Sequence, residues 1–285
     1  MSADFIHLHT HSHYSLLDGM SKPNQLLKRC ADYDMNACAL TDHGAIFGLL
    51  DFSMQASKTG VKPILGCEVY VAPTSRFDKS AKSAKESCNH LLLLCESDAG
   101  YHNLCKLSTL AHLEGWHYKP RVDAEALEEH REGLIASTAC LQGRVPQLLL
   151  GGQLDEAEKT LDQYIGIFGR DNVCIEMMNH GMPEQDKVNP LLWELAEKHQ
   201  IMAIATNDSH YLDREDAEAH EVLLCLQTKK TLDDPDRMRY PNDEFYFRSP
   251  EEMRGRFARW PEAVTNTVRI AERCNAVIPT NLGLI

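Results

Sequence analysis

Seven short apolar runs recur along the chain, and they constrain its fold more than any other feature of the sequence. Each run has the length of a buried strand, and segments with helical character separate most of them. Strands that alternate with helices predict parallel pairing with right-handed crossovers, in either a barrel or an open doubly wound sheet. The runs are 5–8, 37–40, 63–70, 91–95, 134–137, 173–177 and 201–205.

The helical segments are indicated by apolar spacing and by end signals. Between residues 154 and 168, apolar side chains recur at intervals of three and four residues, and Gly169 follows as a C-cap. Segments 22–33 and 183–199 each carry a proline near their start, which is typical of a helix N-terminus. These three segments are therefore predicted to be helices.

The remaining segments are polar or follow the last strand. Residues 76–89 predict a mobile loop, and residues 114–133 predict a polar insertion. Ser249 and Glu252 form a capping box around Pro250, so a helix should start at about residue 250.

The positions of the polar residues distinguish a barrel from an open sheet. No glycine-rich phosphate loop follows the first run, which removes the main sequence support for a dinucleotide-binding fold. Polar side chains end several runs, as they do where a barrel builds its site at the C-terminal face. We therefore predict an α/β fold, a distorted (β/α)7 barrel over residues 1–212, with a short helical extension over residues 213–285.

Two pairs of residues predict a metal site at this face. His9 and His11 are two residues apart on a strand and point to the same side, and Asp208 and His210 repeat this spacing. Imidazole, carboxylate and thiolate are ligand types for Zn²⁺, Mn²⁺ or Fe²⁺. The other histidines of the chain include several that we assign to the surface, namely His102, His112, His117, His130 and His199.

Further candidates adjoin the other runs, with alternatives left open by the local pattern. His43 is placed as a ligand or as part of a simple turn, and Asp42 is more suited to orienting a neighbour or to acid–base work. Glu68 lies inside an apolar run and needs a metal or a cationic partner, because burying it unpaired would be costly. The sequence leaves three residues undecided between a structural role and a ligand role: His90, which starts its run instead of ending it, Cys140 and Asp18.

Composition limits the possible classes of protein. The formal net charge of −13 argues against tight binding of nucleic acid through the surface alone, although bound cations would offset part of it. No apolar stretch has the length of a membrane span and no secretion signal is recognisable, so we expect a cytoplasmic protein without a membrane partner. The ten cysteines form no C-x-x-C pair, and neither G-x-S-x-G nor H-E-x-x-H occurs.

These motifs resemble the PHP (polymerase and histidinol phosphatase) family. The similarity rests on His7-Leu-His9-Thr-His11, Thr41-Asp42-His43-Gly44, Gly66-Cys67-Glu68, Ala139-Cys140 and Asn207-Asp208-Ser209-His210. It extends to the branch of the family that precedes bacterial replicative polymerases, and it covers almost the whole chain. The resemblance implies a distorted seven-stranded barrel and three divalent ions (Zn, Mn or Fe). The ligands that it implies are His9, His11, Asp18, His43, Glu68, His90, Cys140, Asp208 and His210.

Clustered ions suit the hydrolysis of phosphoesters, because they activate water and stabilise charge on the phosphoryl group. We expect a metal-dependent 3′→5′ exonuclease that proofreads a DNA 3′ end in cis with a polymerase core that this chain lacks. Other replisome subunits are candidate partners. Lys119, Arg121 and Arg144 are candidate phosphate clamps, and His180 is a candidate acid or supporting residue. The alternatives are a small-molecule phosphatase or pyrophosphatase of the histidinol-phosphatase type, and a non-catalytic, metal-stabilised scaffold.

Overall fold

The computed structural model describes residues 4–279, which form a curled, mixed sheet surrounded by helices. The strands are β1 (Ala37–Leu40), β2 (Lys62–Val71), β3 (Asn89–Cys95), β4 (Arg121–Val122), β5 (Leu134–Ser137), β6 (Val173–Met178) and β7 (Met202–Thr206). The helices before β6 are α1 (Pro23–Asp32), α2 (Leu49–Ala56), α3 (Ala84–Ser87), α4 (Asp98–Leu113), α5 (Ala124–Glu129), α6 (Arg144–Leu150) and α7 (Leu154–Phe168). The later helices are α8 (Pro183–His199), α9 (Ala217–Thr228), α10 (Pro250–Arg256) and α11 (Pro261–Arg273).

One strand runs against the expected direction. The sheet order is β1-β2-β3-β5-β6-β7, with β4 paired to β2, and β3 is antiparallel to both of its neighbours. A parallel return normally needs a crossover helix. The connection between β2 and β3 contains only the four-residue helix α3, so the chain turns back directly. The expectation that all strands are parallel was therefore wrong for β3.

The run 5–8, predicted as the first strand, forms no regular ladder. Its residues are fully buried, and it lies where a strand would close the sheet. His7 O accepts from Ala39 N at 2.8 Å on one side, and His11 N donates to Ser209 O at 2.9 Å on the other. The hydroxyl of Thr41 accepts from Thr10 N at 2.9 Å, so a side chain replaces a ladder bond. The segment thus closes the sheet without being a strand, and the short β4 brings the strand number to seven.

The predicted helices are present at the expected places. Segments 22–33 and 183–199 correspond to α1 and α8, and the helix expected near residue 250 is α10. The capping box at its start is formed, because Ser249 Oγ accepts from Glu252 N and Glu252 accepts from Ser249 N at 2.8 Å. Gly169 follows α7 with φ +86°, a conformation that L side chains rarely adopt.

The segment predicted as a mobile loop, 76–89, is anchored by one buried arginine. The guanidinium of Arg121 donates to four backbone carbonyls: Gly115 O at 2.9 Å, Ser87 O at 3.1 Å, Arg76 O at 3.0 Å and Asp78 O at 2.7 Å. The insertion 114–133 supplies this arginine from β4 and also contains α5. Both polar segments therefore have a defined structure, built around Arg121.

The segment after β7 packs onto the sheet. Phe247, Met253, Phe257 and Ile270 are buried in the same apolar core as the strands, and Asn266 Nδ2 donates to Ala203 O of β7 at 2.9 Å. The ends of the two predicted ranges, residues 1–3 and 280–285, lie outside the described residues. Among residues 4–279, no helix combines the length and the apolar character that crossing a bilayer requires.

Candidate metal centre

The structure brings the predicted ligands together at one rim of the sheet. Most of them follow β1, β5 and β7, lie in β2, or lie in residues 5–11. Residues 5–11, which extend the run 5–8 that closes the sheet, are called the closing segment below. His90 is at the start of β3, and because β3 is antiparallel it lies opposite Tyr70 near the end of β2. The reversed strand therefore explains why His90 precedes its apolar run in the sequence.

One group of ligand atoms is formed by His9, His11 and Asp208. His11 Nε2 lies 3.0 Å from Asp208 Oδ1 and 3.1 Å from His9 Nε2, and His9 Nε2 lies 3.4 Å from the same carboxylate oxygen. Asp208 has a positive φ of 44°, uncommon for a non-glycine residue, so the backbone is held in an unfavourable conformation at this ligand.

A second group surrounds Glu68, a fully buried carboxylate in β2. Its Oε2 is 2.6 Å from His43 Nδ1 and its Oε1 is 2.8 Å from His90 Nδ1. Cys140 Sγ lies 3.6 Å from both Glu68 Oε1 and His90 Nδ1. The geometry therefore places Cys140 among the ligand candidates.

A third group joins His43 to His11 and His210. Asp18 Oδ2 lies 3.1 Å from His43 Nε2, which lies 3.4 Å from His210 Nε2, and the ring of His11 stacks on both of the other rings. In each of the three groups, three residues have donor atoms close enough together to hold one ion: His9, His11 and Asp208; His43, Glu68 and His90; and His11, His43 and His210. Cys140 and Asp18 lie beside these triads. All nine predicted ligands thus belong to one continuous cluster.

The carboxylates of this cluster are held in the ionised form. Burial alone would raise the pKa of Glu68, but His90, His9 and His43 keep it well below its usual range. Burial would also raise the pKa of Asp208, and His9 and His210 lower it. For the thiol of Cys140, burial and the nearby Glu68 carboxylate raise the pKa, so it would ligate only where a cation displaces its proton.

Divalent cations fit this donor set. Three buried atoms in the cluster, His43 Nδ1, Glu68 Oε2 and Asp208 Oδ1, have no hydrogen-bond partner of suitable geometry. Buried polar atoms are normally paired, and atoms that lack partners at the centre of a His and carboxylate cluster are suited to metal bonds. The residues therefore could bind divalent metal ions.

Glu176 is a supporting residue that the sequence analysis did not assign to the site. It is fully buried on β6 and accepts from His9 Nδ1 at 2.7 Å, which directs His9 Nε2 toward the other ligands. The signal was present in the sequence, since Glu176 interrupts an apolar run in the same way as Glu68 does.

Asp42 supports the cluster from the side. Its carboxylate accepts from Ser12 N at 2.7 Å and from Ser15 Oγ at 2.7 Å, and Ser15 Oγ is 3.0 Å from His11 Nδ1. These contacts favour an orienting role for Asp42 over acid–base work.

A cavity of about 240 Å³ opens onto the ligands. Met178, Met182, Met238 and Phe245 contribute apolar side chains to the lining, together with the histidines and carboxylates. Among the described residues that line this cavity, none is Lys or Arg. A negatively charged ligand would therefore depend on bound cations for charge compensation.

His180 lines the cavity, but both of its ring nitrogens are engaged. Nε2 lies 2.9 Å from Asn207 O, and Nδ1 lies 2.8 Å from Gln185 Nε2. Burial lowers the pKa of His180 to about 4, so the ring is neutral at pH 7. These contacts favour support of the wall over proton transfer.

The predicted phosphate clamps lie outside the cavity lining. Arg121 is fully buried and its guanidinium is committed to backbone carbonyls. Lys119 Nζ lies over the ring of Tyr70, 5.1 Å from its centroid, and Arg144 is exposed at the start of α6. The structure thus brings the predicted ligands together but not these three cations.

A cluster of histidines and carboxylates at the rim of a curled α/β sheet is typical of a protein with a metal site. The sequence shows the family to which the chain belongs. The family model of the PHP domain matches residues 7–180, and the chain belongs to this family. Its sequence is 49% identical to DNA polymerase III subunit alpha of Treponema pallidum, over 96% of this chain and 24% of that protein. It is also 49% identical to DNA polymerase III subunit alpha of Thermus aquaticus, over 96% of this chain and 23% of that protein.

The chain therefore spans about a quarter of the length of these relatives. Among solved structures, a two-domain protein from Bacteroides vulgatus that contains a predicted PHP-like metal-dependent phosphoesterase has a TM-score of 0.41 and 15% identity. The match covers 74% of this chain and 55% of that one.

Proposed function

We propose that this chain is a metal-dependent phosphoesterase domain that hydrolyses DNA phosphodiesters from the 3′ end, in cis with a polymerase core. The observation that carries the proposal is the cluster of nine ligand candidates: six of them line one cavity, and three contribute a buried donor atom without a hydrogen-bond partner. Nine ligands are enough to bind three divalent ions, and Zn²⁺, Mn²⁺ and Fe²⁺ match the donor types.

The residues of the chain prepare the site for such ions. Glu176 accepts the Nδ1 proton of His9, so that Nε2 of His9 is free to ligate. Ser15, held by Asp42, contacts Nδ1 of His11 and leaves its Nε2 directed at Asp208. When bound, the ions would lower the pKa of a water molecule and polarise a phosphoryl oxygen.

The lining of the cavity supports a nucleotide substrate. Met178, Met182 and Phe245 offer apolar surface against which a base can pack, while the ligand side of the cavity faces the phosphate. A small phosphomonoester carries more charge and less apolar surface, and the lining residues supply no cationic side chain for it. The similarity to polymerase subunits supports DNA as the substrate class. It also supports the cytoplasm as the location of this chain.

Glu68→Gln tests the proposal, because it keeps the size of the side chain and removes the charge shared by His43 and His90. We expect the variant to lose bound metal, measured by elemental analysis, and to lose at least about 100-fold in hydrolysis of 3′-labelled single-stranded DNA with Mn²⁺. The exposed Glu262→Gln is the matched control and should behave as the wild type.

Hydrolysis of p-nitrophenyl phosphate is measured in parallel. Rapid turnover of this monoester, with DNA left intact, would mean that the domain is a small-molecule phosphatase and not an exonuclease. If Glu68→Gln loses metal and thermal stability while the wild type hydrolyses no phosphoester, the centre is a structural element of a scaffold.

A further inference from the structure

Asp18 is the ligand candidate with the least support from the sheet. It lies on a turn in which Leu16 is 68% exposed and Leu17 has a positive φ of 61°. The turn is closed by local bonds, from Asp18 N to Ser15 O at 3.0 Å and from Gly19 N to Ser15 O at 2.9 Å. A side chain on such a turn needs other contacts to stay aimed at His43.

Those contacts come from the segment after β7. Tyr240 donates its hydroxyl proton to Asp18 Oδ1 at 3.3 Å. His220 of α9 is 1% exposed, and its Nε2 lies 3.6 Å from the same oxygen and has no hydrogen-bond partner. The rings of Tyr240 and His220 pack together, with centroids 4.7 Å apart, and Tyr240 also contacts His210 at 5.2 Å.

We propose that Tyr240 and His220 are positioning residues that hold Asp18 as a metal ligand. The inference rests on the proposed function for the metal centre, and it assigns part of that centre to residues 217–245. These residues follow residue 180, where the match to the PHP family model ends. The segment after the family match therefore completes the site.

The two oxygens of Asp18 have different closest partners, so the contacts fix the orientation of the carboxylate. Oδ1 faces Tyr240 and His220, while Oδ2 faces His43 Nε2 at 3.1 Å. Fixing Oδ1, which also lies 3.9 Å from His210 Nε2, leaves the lone pairs of Oδ2 directed at His43.

Tyr240→Phe removes only the hydroxyl and leaves the ring packing in place. We expect the affinity for one Mn²⁺ ion to fall by about 10–100-fold, the usual effect of removing a partner that orients a ligand. Direct titration of the 285-residue chain with Mn²⁺ by calorimetry measures it, without any substrate. The unfolding of the metal-free protein should be unchanged.

Tyr211→Phe is the matched control. Tyr211 is also buried beside His220, with ring centroids 5.1 Å apart, but its hydroxyl has no hydrogen-bond partner and does not contact Asp18. This variant should bind Mn²⁺ as the wild type does.

A double-mutant cycle with Asp18→Asn separates positioning from a general effect on the fold. Tyr240→Phe should weaken Mn²⁺ binding in the wild type and add nothing in the Asp18→Asn background, and His220→Gln should follow the same pattern. Unchanged Mn²⁺ affinity in Tyr240→Phe, or equal losses in both backgrounds, would overturn the proposal. The titrations measure no catalysis. If the protein binds Mn²⁺ but hydrolyses no phosphoester, the exonuclease proposal is wrong, and the role of Tyr240 and His220 in positioning Asp18 is unaffected.

Discussion

A single residue, Glu176, determines which nitrogen of His9 faces the metal centre. Glu176 accepts three hydrogen bonds, from His9 Nδ1 at 2.7 Å, Ser137 Oγ at 2.8 Å and Thr206 Oγ1 at 2.6 Å. With its charge satisfied inside the sheet, it fixes the ring of His9 in one orientation. Such an outer carboxylate also makes the imidazole a stronger ligand.

Glu176→Gln should therefore weaken metal binding without removing a ligand. The amide keeps the shape of the side chain but loses the charge that supports the Nδ1 proton of His9. We expect a loss of about 10–100-fold in Mn²⁺ affinity, measured by calorimetric titration. Exposed Glu262→Gln serves as the control, and an affinity equal to that of the wild type in Glu176→Gln would show that the carboxylate only fills space.

The sequence alone indicated some of these residues and not others, for physical reasons. His9, His11, Asp208 and His210 were predictable because the two-residue spacing on an extended chain places both side chains on one face. Asp18 and Cys140 were decided only by the family resemblance, since a turn aspartate and a lone cysteine have common structural roles. The contact of Tyr240 with Asp18 joins residues 222 positions apart, and no local pattern reveals such a contact.

At the scale of elements, the main difference from the prediction is the direction of β3. Alternation of strands and helices predicted parallel pairing, but a crossover depends on the length of the helix between two strands. The connection before β3 has the four-residue α3 and is tied to Arg121 instead of packing as a crossover helix. The number of strands was predicted correctly although one predicted run is irregular and the two-residue β4 was not foreseen.

Arg121→Met tests whether Arg121 is a structural residue or a phosphate clamp. The change leaves three carbonyl groups without their donor, since Arg76 O still accepts from Lys79 Nζ at 3.1 Å, and each buried unsatisfied group costs about 1–3 kcal/mol. We expect the free energy of unfolding to fall by about 3 kcal/mol in a urea titration.

The exposed Arg144→Met is the comparison and should change stability by less than about 0.5 kcal/mol. If Arg121→Met instead leaves stability unchanged and raises the KM for single-stranded DNA, the sequence-based assignment as a clamp would be right.

At the scale of the whole molecule, the metal centre connects segments that are distant in the sequence. The candidate ligands come from the closing segment and the turn after it, from four strands or their ends, and from the chain after β7, while the tail beyond residue 245 packs into the same core. Cations bound there would link these parts, and without them the cluster retains buried donor atoms that lack partners.

Removal of metal should therefore destabilise the whole fold. A ligand present at 100 times its Kd stabilises the native state by about 2.7 kcal/mol, so chelation should lower the Tm by about 5 °C or more. Calorimetry before and after chelation, followed by addition of Mn²⁺, measures the loss and its recovery. Glu68→Gln should respond less, and a Tm that stays constant while elemental analysis shows complete removal would contradict the link.

The reversed β3 also has a consequence for how this site tolerates insertions. A ligand that follows a strand is held by that strand, and the loop between the ligand and the next helix can lengthen without moving it. His90 instead takes its position from the chain that enters β3, and residues 72–88 span the distance between two neighbouring strands of the site. Lengthening that connection would act on a candidate metal ligand directly, so among homologous chains we expect its length to vary less than that of the other surface loops.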